Sequence, residues 1–341
     1  MTMTLTAPAG AGPASPTAAP AIEARGLTKT YGKDVRALDG LSFRVEAGTV
    51  FALLGPNGAG KSTAVKILTT LSRADDGEAT VAGFDVRREP ERVRRAIGYV
   101  SQKPALDPEA TGRENLTLQG RVYGLGGAEL RGRVDELLER NGLSGAADRV
   151  TSAWSGGMQR KLDVTMGLVH RPLVLFLDEP TTGLDPEARA ELWGEITRLA
   201  RDEGITILLT THYLDEADRL AGRLAIVDHG RLVVEGAPEQ LKSALHGDTI
   251  RIELDRPSEA ETTRARAALE SVAGVSGVVA QDGVVRARAI RGAAAVPAAL
   301  AALEAAGVPV AAATVARPTL DDVYLRYAGR SFQHDEDGAA R

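Results

Sequence analysis

The sequence predicts an α/β domain with a largely buried sheet, followed by a smaller α+β domain. The main observation is an alternation of short apolar, β-branched runs with longer helical patterns from residue 22 to about residue 241. Strand-like runs are missing between about residues 103 and 170, where helical patterns replace them. Beyond residue 246 the composition shifts toward Ala, Val and Arg, and a second series of short elements begins. We therefore expect an α/β core with a helical insertion and a separate C-terminal unit.

Composition places the chain among ordinary globular proteins. Its 341 residues are 43% hydrophobic and 26% charged, which is enough for two folded domains. The formal net charge of −5 argues against a general electrostatic attraction to nucleic acid, so no nucleic-acid partner is expected. The chain has no cysteine, which excludes disulfides and thiol-based metal sites. No uninterrupted apolar run reaches roughly eighteen residues, so no membrane-spanning segment is predicted.

Composition shifts also predict the domain boundaries. Residues 1–20 carry no charged side chain and are rich in Ala, Pro, Thr and Gly, so we expect a disordered tail. The α/β domain is assigned to residues 21–245, with its helical subdomain at about 103–170. The α+β domain is assigned to residues 246–330, and residues 331–341 are expected to form a flexible tail.

Individual elements follow from apolar periodicity. The clearest strands of the α/β domain are continuous apolar runs, typical of a sheet buried on both faces, at 50–54, 173–177 and 205–210. In the helical insertion, Val134, Leu137 and Leu138 share one face of a predicted helix. The C-terminal order of strand, helix, strand, strand, helix, strand indicates a ferredoxin-like split unit, at residues 249–254, 259–272, 275–280, 284–289, 294–306 and 309–315.

A glycine-rich loop directly follows the strand at 50–54. It matches the pattern G-x-x-x-x-G-K-[ST] and precedes a helical pattern, which is the strand–loop–helix context of a P-loop. Glycines let the backbone wrap closely around phosphates and turn N–H groups toward them at a helix N-terminus. Lys61 is expected to reach the β- and γ-phosphates, and the Ser62 hydroxyl is expected to ligate Mg²⁺. The sequence thus predicts a P-loop NTPase fold with nucleotide contacts from Gly55, Pro56, Asn57, Gly58, Ala59, Gly60, Lys61, Ser62 and Thr63.

Two carboxylates end the apolar strand at 173–177. Asp178 and Glu179 emerge at the carboxyl edge of the sheet, where α/β folds place ligands. Asp178 can hold Mg²⁺ through a water molecule, and Glu179 can orient or deprotonate the water that attacks a phosphate. Taken alone, such a pair is as readily explained as the acidic cap of a following helix. Next to a P-loop, the pair favours phosphoryl chemistry.

A third segment points to one family. The letters W-S-G-G-M-Q-R at residues 154–160 precede a helical pattern and lie upstream of the acidic pair. Ser155 can cap that helix, and Gly156 and Gly157 leave backbone N–H groups for an anion. Between two nucleotide motifs, this segment resembles the signature sequence of ATP-binding cassette (ABC) proteins, and the resemblance extends over residues 22–241.

The resemblance implies an ABC nucleotide-binding domain that binds and hydrolyses ATP with Mg²⁺. It makes Tyr31 the aromatic residue that stacks on adenine, Gln102 the glutamine that senses Mg²⁺ and attacking water, and His212 the histidine that contacts the γ-phosphate. Leu184 and Asp185 resemble the loop that touches the opposing subunit. The implied catalytic residues are Glu179, His212 and Gln102, the metal ligands are Ser62, Gln102 and Asp178, and further nucleotide contacts are Ser155, Gly156, Gly157 and Asp185.

The signature departs from the usual L-S-G-G-Q, because Trp154 and Met158 occupy its first and last positions. A hydrogen bond from that glutamine is therefore not expected, and the backbone of the S-G-G core remains as the contact. The S-G-G-M form and the segments 213–218 and 317–324 together resemble the daunorubicin-resistance type of exporter subunit. This resemblance implies efflux of a drug, an antibiotic or a lipid-like substrate. Asp321, Asp322 and Tyr324 are expected to form a docking helix.

The family resemblance also implies two partners. Each ATP lies between the P-loop of one subunit and the signature of another, which implies a homodimer. A separate membrane permease subunit would hold the chain at the cytoplasmic face of the membrane as a peripheral protein. In the family, the region corresponding to residues 111–125 receives a cytoplasmic helix of the permease. The groove is expected to involve Leu116, Leu118, Val122 and Tyr123, although residues at helical spacing are more often plain core.

Other ATPase classes agree less well with the sequence. A translation-factor ATPase would carry two cassettes, and one P-loop is visible. A chromosome-maintenance ATPase would carry a long coiled coil between the nucleotide motifs, where this chain has a short helical stretch. A regulatory or ligand-sensing ATPase stays open as an alternative, beside a C-terminal domain that simply stabilises the dimer. The remaining histidines are expected to be structural or solvated, namely His170, His229, His246 and His334.

Overall fold

We describe residues 19–32, 34–245, 247–255, 258–329 and 332 of a computed structural model of the chain. Most of the two expected tails lies outside the described residues, and so do His246 and His334. Within the described part of the chain, no helix is long and apolar enough to cross a membrane.

The secondary structure follows the order predicted from the apolar pattern. The α/β part comprises β1 (Ile22–Tyr31), β2 (Val35–Val45), β3 (Val50–Leu54), α1 (Lys61–Leu68), β4 (Asp76–Val81), β5 (Phe84–Asp85), α2 (Pro90–Ala96), β6 (Ile97–Val100), α3 (Gly112–Val122), α4 (Gly127–Arg140), α5 (Gly156–Gly167), β7 (Val174–Asp178), α6 (Pro186–Glu203), β8 (Thr206–Thr211), α7 (Leu214–Leu220), β9 (Arg223–Asp228), β10 (Arg231–Gly236) and α8 (Pro238–Ser243). The C-terminal part comprises β11 (Asp248–Leu254), α9 (Glu259–Glu270), β12 (Val275–Gln281), β13 (Val284–Ala289), α10 (Gly292–Ala305), β14 (Val310–Ala316) and α11 (Leu320–Ala328).

The main sheet has the strand order β10-β9-β3-β8-β7-β6 and is parallel except for the edge pair β9 and β10. Strands β3, β7 and β8 are buried along their whole length. Their apolar side chains project from both faces of the sheet, and both faces are covered. The register places Leu54 opposite Thr211 and Asp178 opposite Thr210. The P-loop, the acidic pair and the segment after β8 therefore meet at one edge of the sheet.

A second sheet covers one face of the first. Its order is β2-β1-β4-β5, and its strands are antiparallel. Alternate residues of β3 point to opposite faces, so Phe51 and Leu53 pack with the second sheet while Leu54 packs with the helices. The Phe43 ring of β2 stacks on Phe51 with centroids 5.5 Å apart. The fold is the mixed α/β core with a helical subdomain that the sequence predicts.

The helical subdomain contains α3, α4 and α5. Helix α3 begins with a capping box, in which Thr111 accepts from the Glu114 backbone and the Glu114 carboxylate accepts from the Thr111 backbone. The predicted apolar face of α4 is buried, as expected for an amphipathic helix packed on a core. Of the four residues expected in a groove, Leu116 is instead fully buried core. The other three are not fully buried. The Tyr123 ring stacks on the His170 ring with centroids 3.6 Å apart, and Leu118 and Val122 are exposed.

The C-terminal strands form an antiparallel sheet with the order β12-β13-β11-β14, which is the ferredoxin-like arrangement. Helices α9 and α10 cover one face, where Leu269 and Leu303 pack onto Ile252. Strands β12 and β13 are joined by Asp282 and Gly283 at φ values of 51° and 76°, as a type I′ hairpin turn requires. The predicted order of strands and helices is confirmed.

Helix α11 leaves the C-terminal sheet and packs back on the α/β part, against α7, α8 and β10. Val323 and Tyr324 are fully buried in the same apolar cluster as the α/β core. On its other side, Asp322 accepts from the Thr249 hydroxyl at 3.1 Å, and Asp321 pairs with Arg286 at 3.1 Å. The expected docking helix therefore docks on its own chain and contacts both parts of it.

Candidate active site

The P-loop connects the end of β3 to the start of α1. Gly60 precedes the helix with a φ of 103°, and a Cβ there would lie 2.3 Å from the Ala37 carbonyl oxygen. Only glycine fits this position. Because glycine has no side chain, it cannot cap α1, and the N–H groups of the first turn are left without a side-chain acceptor. Such a helix N-terminus is a binding site for a phosphate group.

Lys61 is the buried cation of this loop, with 4% of its surface exposed. Its Nζ donates to the carbonyl oxygens of Gly55 at 2.7 Å and Pro56 at 3.0 Å. The same nitrogen lies 3.8 Å from the Glu179 carboxylate. Burial lowers the pKa of Lys61, whereas the charges of Glu179 and Asp178 act in the opposite direction. The structure thus brings the P-loop lysine and the acidic pair together.

Asp178 is held by two hydroxyl groups. Ser62 Oγ donates to its Oδ1 at 3.1 Å, and Thr210 Oγ1 donates to the same oxygen at 2.6 Å. The resulting cluster of a carboxylate and hydroxyls suits Mg²⁺, which prefers oxygen ligands and usually keeps several waters. The sequence reasoning missed Thr210. The signal was present, because polar residues at the end of an otherwise apolar buried strand indicate a site at the sheet edge.

Glu179 is the point where three predicted segments meet. Its carboxylate accepts from Gln102 Nε2 at 3.0 Å and lies 3.3 Å from His212 Nδ1. A hydrogen bond from the His212 ring, aided by the Lys61 ammonium, holds the pKa of the Glu179 carboxyl below its usual range, although burial opposes this effect. The Glu179 backbone has a φ of 47°, an unusual value for a residue other than glycine. Such strain is typical of functional sites.

Arg160 of helix α5 is a second residue that the sequence reasoning missed. It is 4% exposed, and it donates to the carbonyl oxygens of Ser101 and Pro180, both at 2.7 Å. It also forms an ion pair with Asp163 at 3.0 Å. Ser101 precedes Gln102, and Pro180 follows Glu179. Arg160 therefore fixes two loops that carry predicted site residues, and the signal in the sequence was an Arg–Asp pair at i and i+3.

The signature residues lie apart from the P-loop of the same chain. Ser155 caps α5 by accepting from the Met158 backbone at 3.2 Å, and Asp185 caps α6 by accepting from Ala188 at 2.9 Å. A Cβ on Gly157 would lie 2.8 Å from the Ala188 side chain, so the signature packs tightly on α6. These residues line their own cavity of about 220 Å³, which includes no P-loop residue.

The unusual signature residue Trp154 belongs to the core. Its side chain is buried, and it packs so closely on Gly112 of α3 that a Cβ there would lie 2.5 Å from the indole. Met158 is partly buried against the same apolar cluster. Both departures from the usual signature therefore lie on the packed side of the loop. The backbone of Gly156 is not involved in this packing, since a Cβ there would meet open space.

The remaining predicted residue, Tyr31, ends strand β1 with 41% of its surface exposed. The Lys29 ammonium lies 5.6 Å from the centre of its ring. His170 Nε2 is 2.8 Å from the Ile97 carbonyl oxygen, and His229 occupies an exposed turn with a φ of 46°.

Known proteins share both parts of this chain. The ABC transporter family profile matches residues 38–182, and the profile of the C-terminal domain of DrrA1-3-like ATP-binding proteins matches residues 236–328. The daunorubicin resistance ATP-binding protein DrrA2 of Streptomyces coeruleorubidus is 45% identical over 317 residues, which are 93% of this chain and 97% of that protein. The daunorubicin/doxorubicin resistance ATP-binding protein DrrA of Streptomyces peucetius is 50% identical over 245 residues, covering 72% and 74% of the two chains.

Solved structures show the same fold. The cbiO1 subunit from Clostridium perfringens, part of the ABC transporter complex cbiONQ, superimposes with a TM-score of 0.62 at 28% identity, covering 66% of this chain and 91% of that chain. A dimeric post-hydrolysis state of the ATP-binding cassette MJ0796 with ADP and phosphate has a TM-score of 0.58 at 26% identity, covering 63% and 98%. With its P-loop, acidic pair and two matching domains, the chain belongs to the ABC transporter family as an ATP-hydrolysing subunit of the daunorubicin-resistance type.

Proposed function

We propose that this chain powers the export of a drug, an antibiotic or a lipid-like molecule through a separate membrane permease, with hydrolysis of ATP at Glu179. The observation that carries the proposal is the environment of the Glu179 carboxylate, which lies 3.8 Å from Lys61, 3.0 Å from Gln102 and 3.3 Å from His212. One carboxylate thus joins the phosphate-binding loop to the segments that carry Gln102 and His212. The names of relatives, which include daunorubicin resistance and Nod factor export, support an export role.

ATP binding is assigned to the P-loop, 55–63. The N–H groups of the first turn of α1 bind phosphate oxygens, and Lys61 adds a positive charge. An ammonium group has three donors, so Lys61 keeps one for a phosphate while two carbonyl bonds hold it in place. Ser62 and Asp178 hold Mg²⁺, with Gln102 nearby, and the metal when bound neutralises charge on the phosphates. The exposed ring of Tyr31 stacks on adenine.

Hydrolysis is assigned to Glu179. A lowered pKa keeps this carboxylate deprotonated at neutral pH, so it can accept a hydrogen bond or a proton from the attacking water. Gln102 and His212 hold the carboxylate in position, and His212 contacts the γ-phosphate.

A homodimer follows from the separation of the two halves of the site. Ser155, Gly156, Gly157 and Asp185 of one copy complete the P-loop of the second copy. The start of α5 supports this, because the Ser155 cap accepts from the Met158 N–H and leaves the Gly156 and Gly157 N–H groups for an anion. We assign residues 21–245 to the nucleotide-binding domain, with its helical subdomain at 103–170. Residues 246–330 form the dimerisation or regulatory domain.

We assign the contact with the permease to the exposed face of α3. Leu118 and Val122 are four residues apart and therefore share one helix face, where they are 60% and 72% exposed. An amphipathic helix of the permease can place its apolar side there. Through this contact the chain is a peripheral protein at the cytoplasmic face of the membrane.

Glu179→Gln tests the proposed function. The amide keeps the size of the side chain but cannot accept a proton, so we expect ATP hydrolysis to fall by about 10²- to 10⁴-fold while ATP binding is retained. Phosphate release and calorimetric binding of ATP measure the two effects. Size-exclusion chromatography with ATP should show a stable dimer, because closed copies no longer hydrolyse their nucleotide.

Glu91→Gln on the exposed surface of α2 is the matched control, and it should behave like the unchanged chain. Normal phosphate release by Glu179→Gln would contradict the catalytic assignment. A monomer in the presence of bound ATP would contradict the shared site.

A further inference from the structure

A cavity of about 750 Å³ lies between the C-terminal sheet and helix α11. Strands β12 and β13 form one wall, and the outer side of α11 forms the other. Helices α9 and α10 pack on the opposite face of the sheet, so the cavity uses the face that these helices leave uncovered. None of the residues that line the cavity belongs to the nucleotide site. Its volume is in the range of small-molecule sites, which is about 300–1,000 Å³.

Arginine side chains dominate the polar part of the lining. Arg286 is neutralised by Asp321 at 3.1 Å. Arg288 donates to the Leu245 carbonyl oxygen, and neither Arg288 nor Arg326 pairs with a carboxylate of the described residues. Burial lowers the pKa of Arg288; the charge of Asp322 opposes this effect, and the charge of Arg326 adds to it. The two guanidinium groups therefore repel each other, and an anion between them would remove that repulsion.

One carboxylate lines the same cavity, and one of its two oxygens is held by hydrogen bonds within the fold. Asp322 accepts from the Thr249 hydroxyl at 3.1 Å and from the Thr319 hydroxyl at 3.0 Å. It also accepts from the Thr319 backbone at 2.8 Å as part of the capping box of α11. These bonds hold Asp322 in its structural position, and the cavity keeps an excess of positive charge.

Apolar side chains form another part of the lining. Val275 and Val279 lie on the sheet side, and Leu325 and Tyr327 lie on the helix side. Tyr327 is 47% exposed, so its ring is accessible for packing on a ligand. A cavity that combines guanidinium groups with apolar walls matches a ligand that has a charged end and an apolar body.

We propose that this cavity binds a small organic anion, a carboxylate on an apolar body, between Arg288 and Arg326. The carboxylate accepts from the guanidinium groups, whose planar arrangement of donors matches its two oxygens. The apolar body packs against Val279, Leu325 and Tyr327. The site lies in the C-terminal part and requires no nucleotide, so it is independent of the proposed role in export.

Binding at this site is expected to reach the α/β part through α11. The same helix carries Leu325 and Arg326 at the cavity and buries Tyr324 in the α/β core. It also packs against α7, the helix that follows His212. Because a ligand stabilises the state that binds it, the unfolding temperature of the α/β part should rise. The fluorescence of Trp154 and Trp193, which both lie in that part, reports this change.

Calorimetric titration of the full, nucleotide-free chain tests the proposal. The probes are 1-naphthoate, its neutral amide 1-naphthamide, and inorganic phosphate. We expect saturable binding of naphthoate and at least about tenfold weaker binding of the other two, because each lacks either the charge or the apolar body. Equal binding of naphthamide or of phosphate would overturn the proposal, and so would the absence of saturable heat with naphthoate.

Three variants locate the site. Arg326→Gln and Arg288→Gln should each weaken naphthoate binding about tenfold, the effect of losing one charge-assisted hydrogen bond. Arg264→Gln, an equal loss of charge on the exposed side of α9, should leave binding unchanged. Arg288→Gln also removes the hydrogen bond to the Leu245 carbonyl oxygen. If the Arg288→Gln chain does not fold, Arg326→Gln decides the outcome. Equal weakening by Arg264→Gln would overturn the proposed location.

Discussion

Arg160 shows how a side chain outside the reacting groups can control them. Its guanidinium bonds to the backbone on either side of the site, at Ser101 and at Pro180. The planar fork of five donors can serve several acceptors at once, which a lysine cannot do. The positions of Gln102 and Glu179 therefore depend on one buried arginine.

Arg160→Lys tests this dependence. The charge beside Asp163 is kept, but the bonds to the two carbonyl oxygens are lost, so we expect about 1–3 kcal/mol less stability. ATP hydrolysis should fall through kcat more than through KM, because the phosphate-binding loop is not touched. Chemical denaturation and steady-state kinetics measure the two effects. Arg131→Lys on the exposed side of α4 is the control, and an equal fall of kcat in both variants would count against the positioning role.

A second buried ionisable group lies in α7, the helix that follows His212. Glu216 of α7 is fully buried, and its carboxylate accepts from the Trp193 indole at 3.1 Å. Burial raises the pKa of this carboxyl. The folded chain therefore binds the Glu216 proton more tightly than the unfolded chain does, and its contribution to stability is lost as the pH rises through the raised pKa.

Glu216→Gln should remove this pH dependence. The amide oxygen still accepts from Trp193, and no carboxylate has to be buried at high pH. Over the pH range above the ordinary pKa of a glutamate, the free energy of unfolding of the natural chain should decrease relative to that of the variant. Urea denaturation at several pH values measures this difference. Parallel curves for the two chains would show that Glu216 does not titrate in that range.

At the scale of elements, helix α11 connects the two parts of the chain. Tyr324 is fully buried, and its ring meets Phe332 edge to face at 4.7 Å. Large aromatic residues in a core contribute strongly to stability because they bury a large apolar area. Leu320, Val323, Tyr324 and Phe332 thus complete a core whose other buried members come from residues before 246.

Tyr324→Ala should destabilise the α/β part by about 3–5 kcal/mol, the usual cost of removing a large aromatic side chain from a core. The fluorescence of Trp154 and Trp193 during urea denaturation measures this effect. Tyr327→Ala, on the exposed side of the same helix, should change stability by less than about 0.5 kcal/mol. Similar denaturation curves for Tyr324→Ala and the natural chain would mean that α11 is dispensable for the core.

Elements whose signal is local were predictable from the sequence. The P-loop, the strands of the main sheet and the Asp282-Gly283 hairpin each depend on residues close together in the chain, and the structure has them all. Contacts between distant segments were not predictable. Arg160 donates to the Ser101 carbonyl oxygen, 59 residues away in the chain. The cavity lined by Arg288 and Arg326 forms only when α11 lies beside β13. The same reason explains Leu116, whose spacing fits a groove but whose environment is core.

At the scale of the whole molecule, the exposed face of α3 is where the proposed permease contact can be tested. Val122→Asp should weaken association with the permease about tenfold or more, because a carboxylate would be buried in an apolar interface. ATP hydrolysis by the isolated chain should not change. Co-purification with the permease, once it is identified among co-expressed membrane proteins, measures the association.

Leu173→Asp is the control for that experiment. Leu173 is 62% exposed and precedes β7, so it lies at the edge of the main sheet opposite the nucleotide site. Its variant should co-purify normally. Unchanged co-purification of Val122→Asp would assign the permease to another surface.

The return of α11 to the α/β part has a consequence for synthesis of the protein. A ribosome makes the nucleotide-binding part first, but the segment that fills its core at Val323 and Tyr324 emerges only after the whole ferredoxin-like unit. Until then an apolar surface stays open on α7 and α8. A nascent chain at that stage is exposed to aggregation and is a substrate for chaperones. Completion of translation thereby becomes a condition for a finished ATPase.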